Sequence, residues 1–377
     1  MTRITAPWLT DAASQQVCKM LADAGFQALF VGGCVRNALL DVPVSDLDIA
    51  TDALPEQVMD RADTVGLRAV PTGIEHGTVT IICDGVPFEI TTFRKDVETD
   101  GRRAVVAFSK NIADDARRRD FTMNALYAGA DGQVQDPLGG LPDLQAGRVR
   151  FIEDADRRIA EDYLRILRFF RFTAFYADPT QRIDADGLAA CAAGVDGLDS
   201  LSAERIGQEM LKLLSAPDPS PAVAAMASSG VLLRVLRGAS TEVLPVLVHV
   251  EQGIDAPPDP IRRLAAMGGD TERLRLSKNQ ANRLGLIQSD TAPKELAYRH
   301  GADVGLDRLM VCAASTGQTV TRAKAKSIAF AATQTFPISA SDLMPGLSGS
   351  ALGQALQAAE ARWIASDFTL TKDELLA

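Results

Sequence analysis

The spacing of apolar residues changes once along this chain, close to Gly147. Before that point helical spacing alternates with short strand-like runs, such as Ala28 to Val31 and Thr78 to Cys83. After it, strand patterns nearly disappear, and Ala, Leu and Arg recur at helical spacing. Because the order of helices and strands limits which layers can pack together, this change predicts an α+β head followed by an all-α remainder.

The chain has 377 residues, which is long for one compact core, so several structural units are expected. We predict a head over residues 1–146, a helical neck over residues 147–215, and a helical body and tail over residues 216–377. Stretches rich in Pro and Asp, at Ala216 to Pro221 and Asp255 to Pro260, are typical of connections between helical units.

Composition limits the class of protein. The net charge of −10 argues against a protein that coats nucleic acid non-specifically, since such binding depends on neutralising phosphates. Basic residues nevertheless cluster at Arg117 to Arg119 and Arg157 to Arg171, so an RNA substrate is compatible with the charge. The longest apolar run, Val243 to Val250, is too short to cross a membrane. Five cysteines without paired spacing, and a start without an apolar signal core, predict a cytoplasmic protein.

The strongest local pattern is a Gly-Gly turn followed by two spaced aspartates. Gly32 and Gly33 join a predicted strand to a helix, which places backbone N–H groups where a phosphate can bind. Arg36 follows one helical turn later and could add a forked contact to that phosphate. Asp46 and Asp48 are two apart on a predicted strand, so their carboxylates face the same side. Because such close carboxylates repel each other unless a cation separates them, the pair predicts a Mg²⁺ site.

Each of these patterns has a simpler alternative. A Gly-Gly pair is often only a tight turn, and an acidic pair is often a solvated strand end. Glu89, on the predicted strand Pro87 to Phe93, is a candidate third carboxylate, and the alternative is an exposed residue of an edge strand. A basic triplet ahead of a helix that carries Asn124 could contact triphosphate and ribose, or be no more than a basic patch.

A further acidic and basic cluster lies at Glu161 to Arg168. On a helix, Asp162 and Arg165 are neighbours at i,i+3, and Glu161 reaches Arg165 at i,i+4. The alternative is a set of surface ion pairs that contribute little to stability.

Together these segments resemble the class II tRNA nucleotidyltransferases and bacterial poly(A) polymerases. The resemblance rests on five motifs that occur here in the order found in that family. They are Gly32-Gly33-Cys34-Val35-Arg36, Asp46-Leu47-Asp48, Arg118-Arg119-Asp120-Phe121-Thr122-Met123-Asn124-Ala125, Asp136-Pro137-Leu138-Gly139-Gly140-Leu141-Pro142-Asp143-Leu144, and Glu161-Asp162-Tyr163-Leu164-Arg165-Ile166-Leu167-Arg168. The fold that the resemblance implies is a polymerase-β-type nucleotidyltransferase head with a five-stranded or similar sheet, then a helical neck, body and tail.

The resemblance also implies roles for individual residues. Asp46 and Asp48 would bind the metal ions and carry catalysis, with Glu89 beside them. Asp162 and Arg165, in the neck, would recognise the edge of the base. A carboxylate accepts from the amino group of cytosine or adenine, and arginine donates to the adjacent ring nitrogen, so the pair would select C and A over U and G. The full set of implied nucleotide-binding residues is Gly32, Gly33, Arg36, Arg119, Asp120, Asn124, Asp162, Arg165, Arg168 and Arg171.

The expected activity is Mg²⁺-dependent addition of C, C and A to the 3′ end of tRNA from CTP and ATP, with release of pyrophosphate. A poly(A) polymerase, a partial CC- or A-only enzyme, and a non-catalytic RNA-binding protein are the alternatives.

Two positions depart from the family pattern: Asn37 replaces the usual Asp, and Arg102-Arg103-Ala104 replaces an Arg-Pro pair. The sequence does not determine the oligomeric state. Candidate tRNA contacts, with solvated helix faces as the alternative, are Arg262-Arg263, Arg273, Arg275, Lys278 and Arg283.

Overall fold

A computed structural model describes residues 2–100, 103–344 and 346–377, and within them the side chains of residues 96–106 are not described. The chain forms two compact units. One comprises Met1–Leu201 with Ser228–Arg234, and the other comprises Ser202–Ala227 with Val235–Ala377. The predicted three-part division, with boundaries after residues 146 and 215, stays a prediction.

All of the described strands lie in the first unit. In chain order they are β1 (Leu29–Val31), β2 (Leu47–Thr51), β3 (Arg68–Gly73), β4 (Thr78–Cys83), β5 (Val86–Thr92), β6 (Arg94–Asp100), β7 (Arg103–Phe108), β8 (Tyr127–Gly129) and β9 (Val134–Gln135). Strands β6 and β7 form a separate hairpin, and the others form a seven-stranded sheet in the order β3-β4-β5-β2-β1-β8-β9. The sheet is therefore larger than the five-stranded one that the resemblance implied.

The helices alternate with the strands at first and then continue alone. They are α1 (Pro7–Thr10), α2 (Ala12–Ala22), α3 (Gly33–Leu39), α4 (Pro55–Thr64), α5 (Ile112–Arg117), α6 (Leu141–Gln145), α7 (Ala155–Glu161), α8 (Leu164–Tyr176), α9 (Ala185–Ala193), α10 (Ala203–Leu214), α11 (Ser220–Ser228), α12 (Val231–Val235), α13 (Val243–Gly253), α14 (Pro260–Met267), α15 (Lys278–Gln288), α16 (Pro293–His300), α17 (Ala302–Thr316), α18 (Arg322–Ala332), α19 (Ala340–Leu343), α20 (Gly349–Ala365) and α21 (Lys372–Leu376). In the described part of the chain, four 3₁₀ turns lie at Ile74–His76, Thr122–Asn124, Val195–Ser200 and Glu272–Leu274.

The segregation predicted from the apolar spacing is confirmed. Among the described residues no strand follows Gln135, and the α+β head is followed by helices alone. The predicted turn at Asp84-Gly85 joins β4 to β5 with both residues at positive φ, as a tight hairpin requires. No described helix combines the length and the apolar character needed to cross a membrane.

The central strands are held by apolar residues that alternate with polar ones. Ile49, Ile81, Phe88 and Ile90 have 1% or less of their surface exposed, whereas Glu89, between two of them, points to the opposite face and is exposed. Strand β2 pairs with β5 in parallel, and every other pairing in this sheet is antiparallel. The polar face of β2 and β5 is thus continuous.

The second unit contains a buried network of charged residues, which corrects one prediction. Arg262 and Arg263 were candidates for tRNA contact or for a solvated helix face, but only 4% and 1% of their surfaces are exposed. Arg262 donates to Glu251 at 2.7 Å and to Asp307 at 3.0 Å, and Arg263 donates to the other oxygen of Glu251 at 2.8 Å. Arg283 also contacts Asp307, at 2.5 Å. These arginines hold helices together, because carboxylates neutralise them inside the fold.

Candidate active site

The site begins where β1 ends and α3 starts. Gly32 lies at this junction with φ of +70°, a conformation that residues with a side chain rarely adopt. A Cβ atom at this position would lie 3.1 Å from Nη1 of Arg119 and 3.7 Å from Oδ1 of Asn124. Glycine is needed here for its conformation and for this close approach. The glycine turn thus brings together three residues that the sequence predicted to be in one site.

Two of the predicted carboxylates lie on paired strands. Asp48 of β2 is directly opposite Glu89 of β5 in the parallel register, and Asp46 immediately precedes β2. Strand β5 is interior to the sheet, between β4 and β2, so the edge-strand alternative for Glu89 is wrong. A cleft of about 450 Å³ is lined by Asp46, Asp48 and Glu89, together with Ser45 and Thr80.

The electrostatics of Asp48 favour a cation in this cleft. Burial raises the pKa of Asp48, and the neighbouring Glu89 and Asp46 raise it further, while Arg119 opposes the shift. Carboxylates in this arrangement fit a divalent metal ion that takes its other ligands from water and substrate phosphates. Within the described ranges, no group of three or more His, Cys, Asp or Glu side chains is arranged to hold a metal ion.

Arg119 is held beside the glycine turn by two buried residues that the sequence analysis missed. Its Nη2 donates to Asp115 Oδ2 at 3.1 Å, and its Nε donates to the Tyr127 hydroxyl at 3.2 Å. The Tyr127 hydroxyl in turn donates to Asp115 at 2.7 Å. Burial alone would lower the pKa of Arg119, but Tyr127 and Asp115 outweigh it and raise the pKa. Arg119 is thus a permanently charged group in a fixed orientation.

Arg36 lies deeper than its predicted role suggested. Only 6% of its surface is exposed, and it donates four hydrogen bonds, two to Asn37 Oδ1, one to Asn124 Oδ1 and one to the Tyr176 hydroxyl. Its guanidinium also lies over the Tyr176 ring, 4.1 Å from the centroid. Burial lowers the pKa of Arg36, and no described carboxylate forms an ion pair with it. Asn37, which replaces the family's Asp, is the neutral acceptor for this cation.

Asn124 connects Arg36 to a buried carboxylate. Its Nδ2 donates to Asp120 Oδ1 at 3.2 Å, and the other Asp120 oxygen accepts from Arg168 Nε at 2.6 Å. Burial alone would raise the pKa of Asp120, but Arg168 and the hydrogen bonds outweigh it and lower the pKa. Asn124 lies on a 3₁₀ turn rather than on the predicted helix. The Arg168 and Arg171 guanidinium groups lie over the Phe172 ring, 5.5 Å and 4.8 Å from its centroid.

The predicted base-recognition pair lies at a break between two helices, and not on one helix. Helix α7 ends at Glu161 and α8 begins at Leu164, because Asp162 is extended, with φ of −155° and ψ of 104°. The Asp162 carboxylate accepts from the Leu164 N–H at 3.1 Å, and its carbonyl accepts from the Arg165 N–H. Asp162 thus forms a local side-chain turn just before Tyr163, the N-cap residue of α8, and this turn accompanies the break.

Arg165 is oriented by several acceptors at once. Its Nη1 donates to Glu161 at 2.6 Å and to the Arg158 carbonyl at 2.7 Å, and its Nη2 donates to the Arg118 carbonyl at 3.1 Å. Only 9% of the Glu161 side chain is exposed, so the alternative of a surface ion pair is wrong for this contact.

All of the predicted site residues lie in the first unit, between Gly32 and Arg171. In the segment that departs from the family pattern, Arg102 and the side chains of Arg103 and Ala104 lie outside the described residues. Four supporting residues were not predicted from the sequence, namely Asp115, Tyr127, Arg158 and Tyr176, and Asp143 was predicted only as part of a motif. Asp143 is detectable from its place in that motif; the others carry no local signal.

Comparison with known proteins identifies the family. A family model described as "Poly A polymerase head domain" matches residues 28–150, and one described as "Probable RNA and SrmB- binding site of polymerase A" matches residues 182–242. The mouse mitochondrial CCA tRNA nucleotidyltransferase 1 is 31% identical over 96% of this chain and 88% of its own length. The chain belongs to the CCA tRNA nucleotidyltransferase and poly(A) polymerase family. The predicted family and fold are confirmed.

The chain is also similar in sequence and in structure to other CCA-adding enzymes. A CCA-adding enzyme of Streptococcus pyogenes is 42% identical over 55% of this chain and 50% of its own length. The crystal structure of the Bacillus stearothermophilus CCA-adding enzyme in complex with CTP is 26% identical, with a TM-score of 0.73 over 96% of this chain and 94% of that one. The chain described here by its fold and site is therefore a nucleotidyltransferase. Nucleotidyltransferases of this family generally use divalent metal ions.

Proposed function

We propose that this enzyme adds C, C and A to the 3′ end of tRNA from CTP and ATP, with release of pyrophosphate. The observation that carries the proposal is the placement of Asp48 opposite Glu89 on paired strands, with Arg119 close enough to affect the pKa of Asp48. This arrangement suits transfer of a nucleotidyl group, because it places a cation site beside a fixed positive charge that can stabilise the reacting phosphate. The printed activity of the mouse relative supports tRNA as the acceptor.

The metal ion in this proposal is Mg²⁺, held by Asp46 and Asp48 with Glu89 as the third nearby carboxylate. Oxygen ligands beside phosphates are what Mg²⁺ prefers. When bound, Mg²⁺ supplies charge neutralisation at the reacting phosphate and lowers the pKa of the attacking hydroxyl. The two aspartates must be ionised for this, whereas burial and the neighbouring Glu89 raise the pKa of Asp48 in the metal-free enzyme.

The remaining predicted residues bind and orient the nucleotide. Arg119 would contact the triphosphate or ribose, and Arg168 and Arg171 would add positive charge near the phosphates. The tRNA 3′-hydroxyl attacks the α-phosphate of the bound nucleotide, the new ester bond forms, and pyrophosphate leaves. Fixed cations favour this step because they need no reorganisation as charge develops. Gly32, Gly33, Arg36, Asp120 and Asn124 complete the proposed nucleotide site, and the buried bonds of Arg36 suit a positioning role.

Asp162 and Arg165 would select the base. The proposal is supported by their location at the start of α8, where Arg165 is held by Glu161 and by the Arg118 carbonyl. Uracil and guanine present a carbonyl where cytosine and adenine present an amino group, so each would face the Asp162 carboxylate unfavourably. Sites that hydrogen-bond a substrate reject mismatched groups strongly, because buried polar atoms are then unpaired.

Full CCA addition is favoured over the alternatives within the family. A CC-only enzyme typically has a shortened segment between Arg94 and Asp114, whereas the β6–β7 hairpin occupies that segment here. Localisation in the cytoplasm stays a prediction from the scattered cysteines, all of which are free thiols.

The direct test uses purified enzyme, Mg²⁺ and a tRNA that lacks its 3′ CCA. The tRNA is incubated with CTP alone, ATP alone, both, or UTP, and the products are separated at single-nucleotide resolution. Two C additions followed by one A, and then arrest, is the expected result. A matched reaction with Asp46→Ala protein and a reaction containing EDTA are expected to give no extension.

Other outcomes distinguish the alternatives. Arrest after two C residues would indicate a CC-adding enzyme, and a long A tail would indicate a poly(A) polymerase. No extension by folded wild-type protein would favour a non-catalytic RNA-binding protein and would contradict the proposal.

A further inference from the structure

Arg158 is a buried arginine to which neither the family motifs nor the proposed reaction gives a role. It lies on α7, and only 4% of its side chain is exposed. Its neighbour Arg157 is 66% exposed. A buried arginine needs a carboxylate for its charge and further acceptors for its remaining N–H donors, so the position of those acceptors shows which segments it holds. Arg158 makes contacts that extend beyond its carboxylate, and these contacts reach both parts of the proposed nucleotide site.

The first contact of Arg158 is with the segment that carries the triphosphate arginine. Its Nη2 donates to the backbone carbonyl of Arg119 at 3.0 Å. Arg165 makes a parallel contact, since its Nη2 donates to the carbonyl of Arg118 at 3.1 Å. Two guanidinium groups from the α7–α8 region therefore hold two successive carbonyls of the basic triplet. A shift of either arginine would move the Arg119 backbone relative to the glycine turn.

The second contact of Arg158 is with the base-recognition turn. Its Nη1 lies 2.6 Å from Glu161 Oε2, and Arg165 Nη1 lies 2.6 Å from the same oxygen. The Arg158 carbonyl also accepts from Arg165 Nη1, at 2.7 Å. Glu161 thus joins the two arginines immediately before Asp162. Both guanidinium hydrogen-bonding arms of Arg158 are used, one toward Arg119 and one toward Glu161.

We propose that Arg158 is a positioning residue that fixes the base-recognition pair, Asp162 and Arg165, relative to the triphosphate arginine Arg119. The inference rests on the proposed function of these residues. Its chemical basis is the fork of the guanidinium group, which reaches two acceptors in fixed directions. Lysine carries the same charge on a single nitrogen and cannot hold both acceptors in this geometry. The buried contacts of Arg158 would then affect both the selection of the base and the placement of the nucleotide's phosphates.

The test compares Arg158→Lys with Arg157→Lys. Both substitutions lie on α7 and keep the charge, and both residues contact Glu161, but only Arg158 reaches the Arg119 carbonyl. Steady-state rates are measured for addition of the first nucleotide to tRNA lacking CCA, with CTP and separately with UTP. For Arg158→Lys we expect the ratio of kcat/KM for CTP over UTP to fall about tenfold, the effect of one charge-assisted hydrogen bond. The Arg157→Lys ratio should equal the wild-type ratio.

A double-mutant cycle separates positioning from general destabilisation. In an Asp162→Ala background, base selection is already lost, so adding Arg158→Lys should lower the CTP over UTP ratio by less than twofold further. If Arg158→Lys fails to fold, Glu161→Gln replaces it in the cycle, because glutamine keeps an oxygen acceptor and removes the charge. A smaller fall of the ratio in the same direction is then expected.

The outcomes distinguish the inference from the function on which it rests. Wild-type enzyme that adds neither C nor A would overturn the proposed function itself. If the wild type is active and Arg158→Lys slows CTP and UTP equally, the ratio is unchanged and Arg158 is only structural. Equal losses of the ratio in the Arg158→Lys and Arg157→Lys proteins would also overturn the inference, since the effect would come from the charge around Glu161 and not from the contact with Arg119.

Discussion

At the scale of single residues, the proposed metal ligand Asp48 is expected to lower the stability of the metal-free protein when its carboxyl group is ionised. The folded protein raises the pKa of its carboxyl through burial and through Glu89 and Asp46. For a group whose folded pKa is raised, the stabilising contribution is fully present below the unfolded pKa, about 3.9, and is lost as pH rises through the folded pKa. The ionised carboxylate that metal binding requires is therefore the form that the fold disfavours.

Asp48→Asn should consequently make the metal-free protein more stable at pH 7, and the difference from wild type should vanish below about pH 4. Activity should fall at least about 100-fold, since even outer-shell substitutions at metal sites cost 10–100-fold. Thermal denaturation in EDTA at both pH values measures the first effect, and nucleotide incorporation measures the second. Asp60→Asn, at an exposed position of α4, is the control. A lower melting temperature for Asp48→Asn than for Asp60→Asn at pH 7 would contradict this account.

Asn37, which stands where the family usually has Asp, also has an effect that can be tested at a single residue. Its Oδ1 accepts two hydrogen bonds from the buried Arg36, and its Nδ2 donates to the Pro43 carbonyl at 2.9 Å. Asn37→Ala should cost about 1–3 kcal/mol of unfolding free energy, because the Arg36 donors are then buried without an acceptor. Asn37→Asp keeps that acceptor and should be more stable than Asn37→Ala. Urea denaturation measures both, and equal losses would show that the contact to Arg36 does not matter.

At the scale of elements, the turn that carries Asp120 and Asn124 is held from behind by α6. The Thr122 hydroxyl donates to the buried Asp143 carboxylate at 2.7 Å, and Arg150 donates to the same oxygen at 2.8 Å. A Cβ atom at Gly140, which precedes α6, would lie 2.1 Å from the Thr122 carbonyl. The motif that contains Gly140 and Asp143 therefore supports the turn that carries Asp120 and Asn124 of the proposed nucleotide site.

Gly140→Ala should displace this turn, with a cost of roughly 1–3 kcal/mol for overpacking and a raised KM for CTP. The control is Gly285→Ala on α15, where an added Cβ meets nothing within 4 Å. That substitution should be neutral or stabilising, by up to about 1 kcal/mol. Melting temperature and KM are measured for both proteins. An unchanged KM for Gly140→Ala at reduced stability would show that the turn does not transmit the displacement to the site.

At the scale of the whole molecule, each unit has its own core and its own buried charges. In the second unit Glu251 is 2% exposed and neutralises both Arg262 and Arg263. Glu251→Gln should cost about 3–5 kcal/mol, because it leaves buried arginine charge uncompensated. Glu272→Gln, at an exposed position, is the control and should change little.

The proposed nucleotide site lies wholly in the first unit, so the two units should respond differently to Glu251→Gln. In urea followed by circular dichroism, we expect an early transition of the helical unit in this variant. CTP binding, followed by calorimetry at the urea concentration just above that transition, should persist. Loss of CTP binding in parallel with the early transition would show that the two units unfold as one.

The features that could be predicted from the sequence alone are those that depend on residues close together along the chain. The change near Gly147 and the hairpin at Asp84-Gly85 follow from periods of 3.6 and 2 residues and from turn chemistry. Asp46 precedes the strand on which it was predicted, but it lines the same cleft as Asp48. The order of the motifs was sufficient for the family. The predicted helix is broken at Asp162, where the residue is extended and its carboxylate accepts from the Leu164 N–H. Such local side-chain bonds compete with helical backbone pairing, and the helical spacing of the surrounding residues does not reveal them.

Only the tertiary structure decided which distant residues meet. The pairing of Asp48 with Glu89 depends on a parallel register, and the contact of Arg158 with the Arg119 carbonyl spans 39 residues of sequence. Arg262 and Arg263 have the charge and spacing of surface residues, yet they are buried because Glu251 and Asp307 approach from other helices. Whether a charged side chain is buried, and which group it pairs with, depends on tertiary packing. The free-energy cost of removing the charge from water is offset only by partners that folding brings close to it.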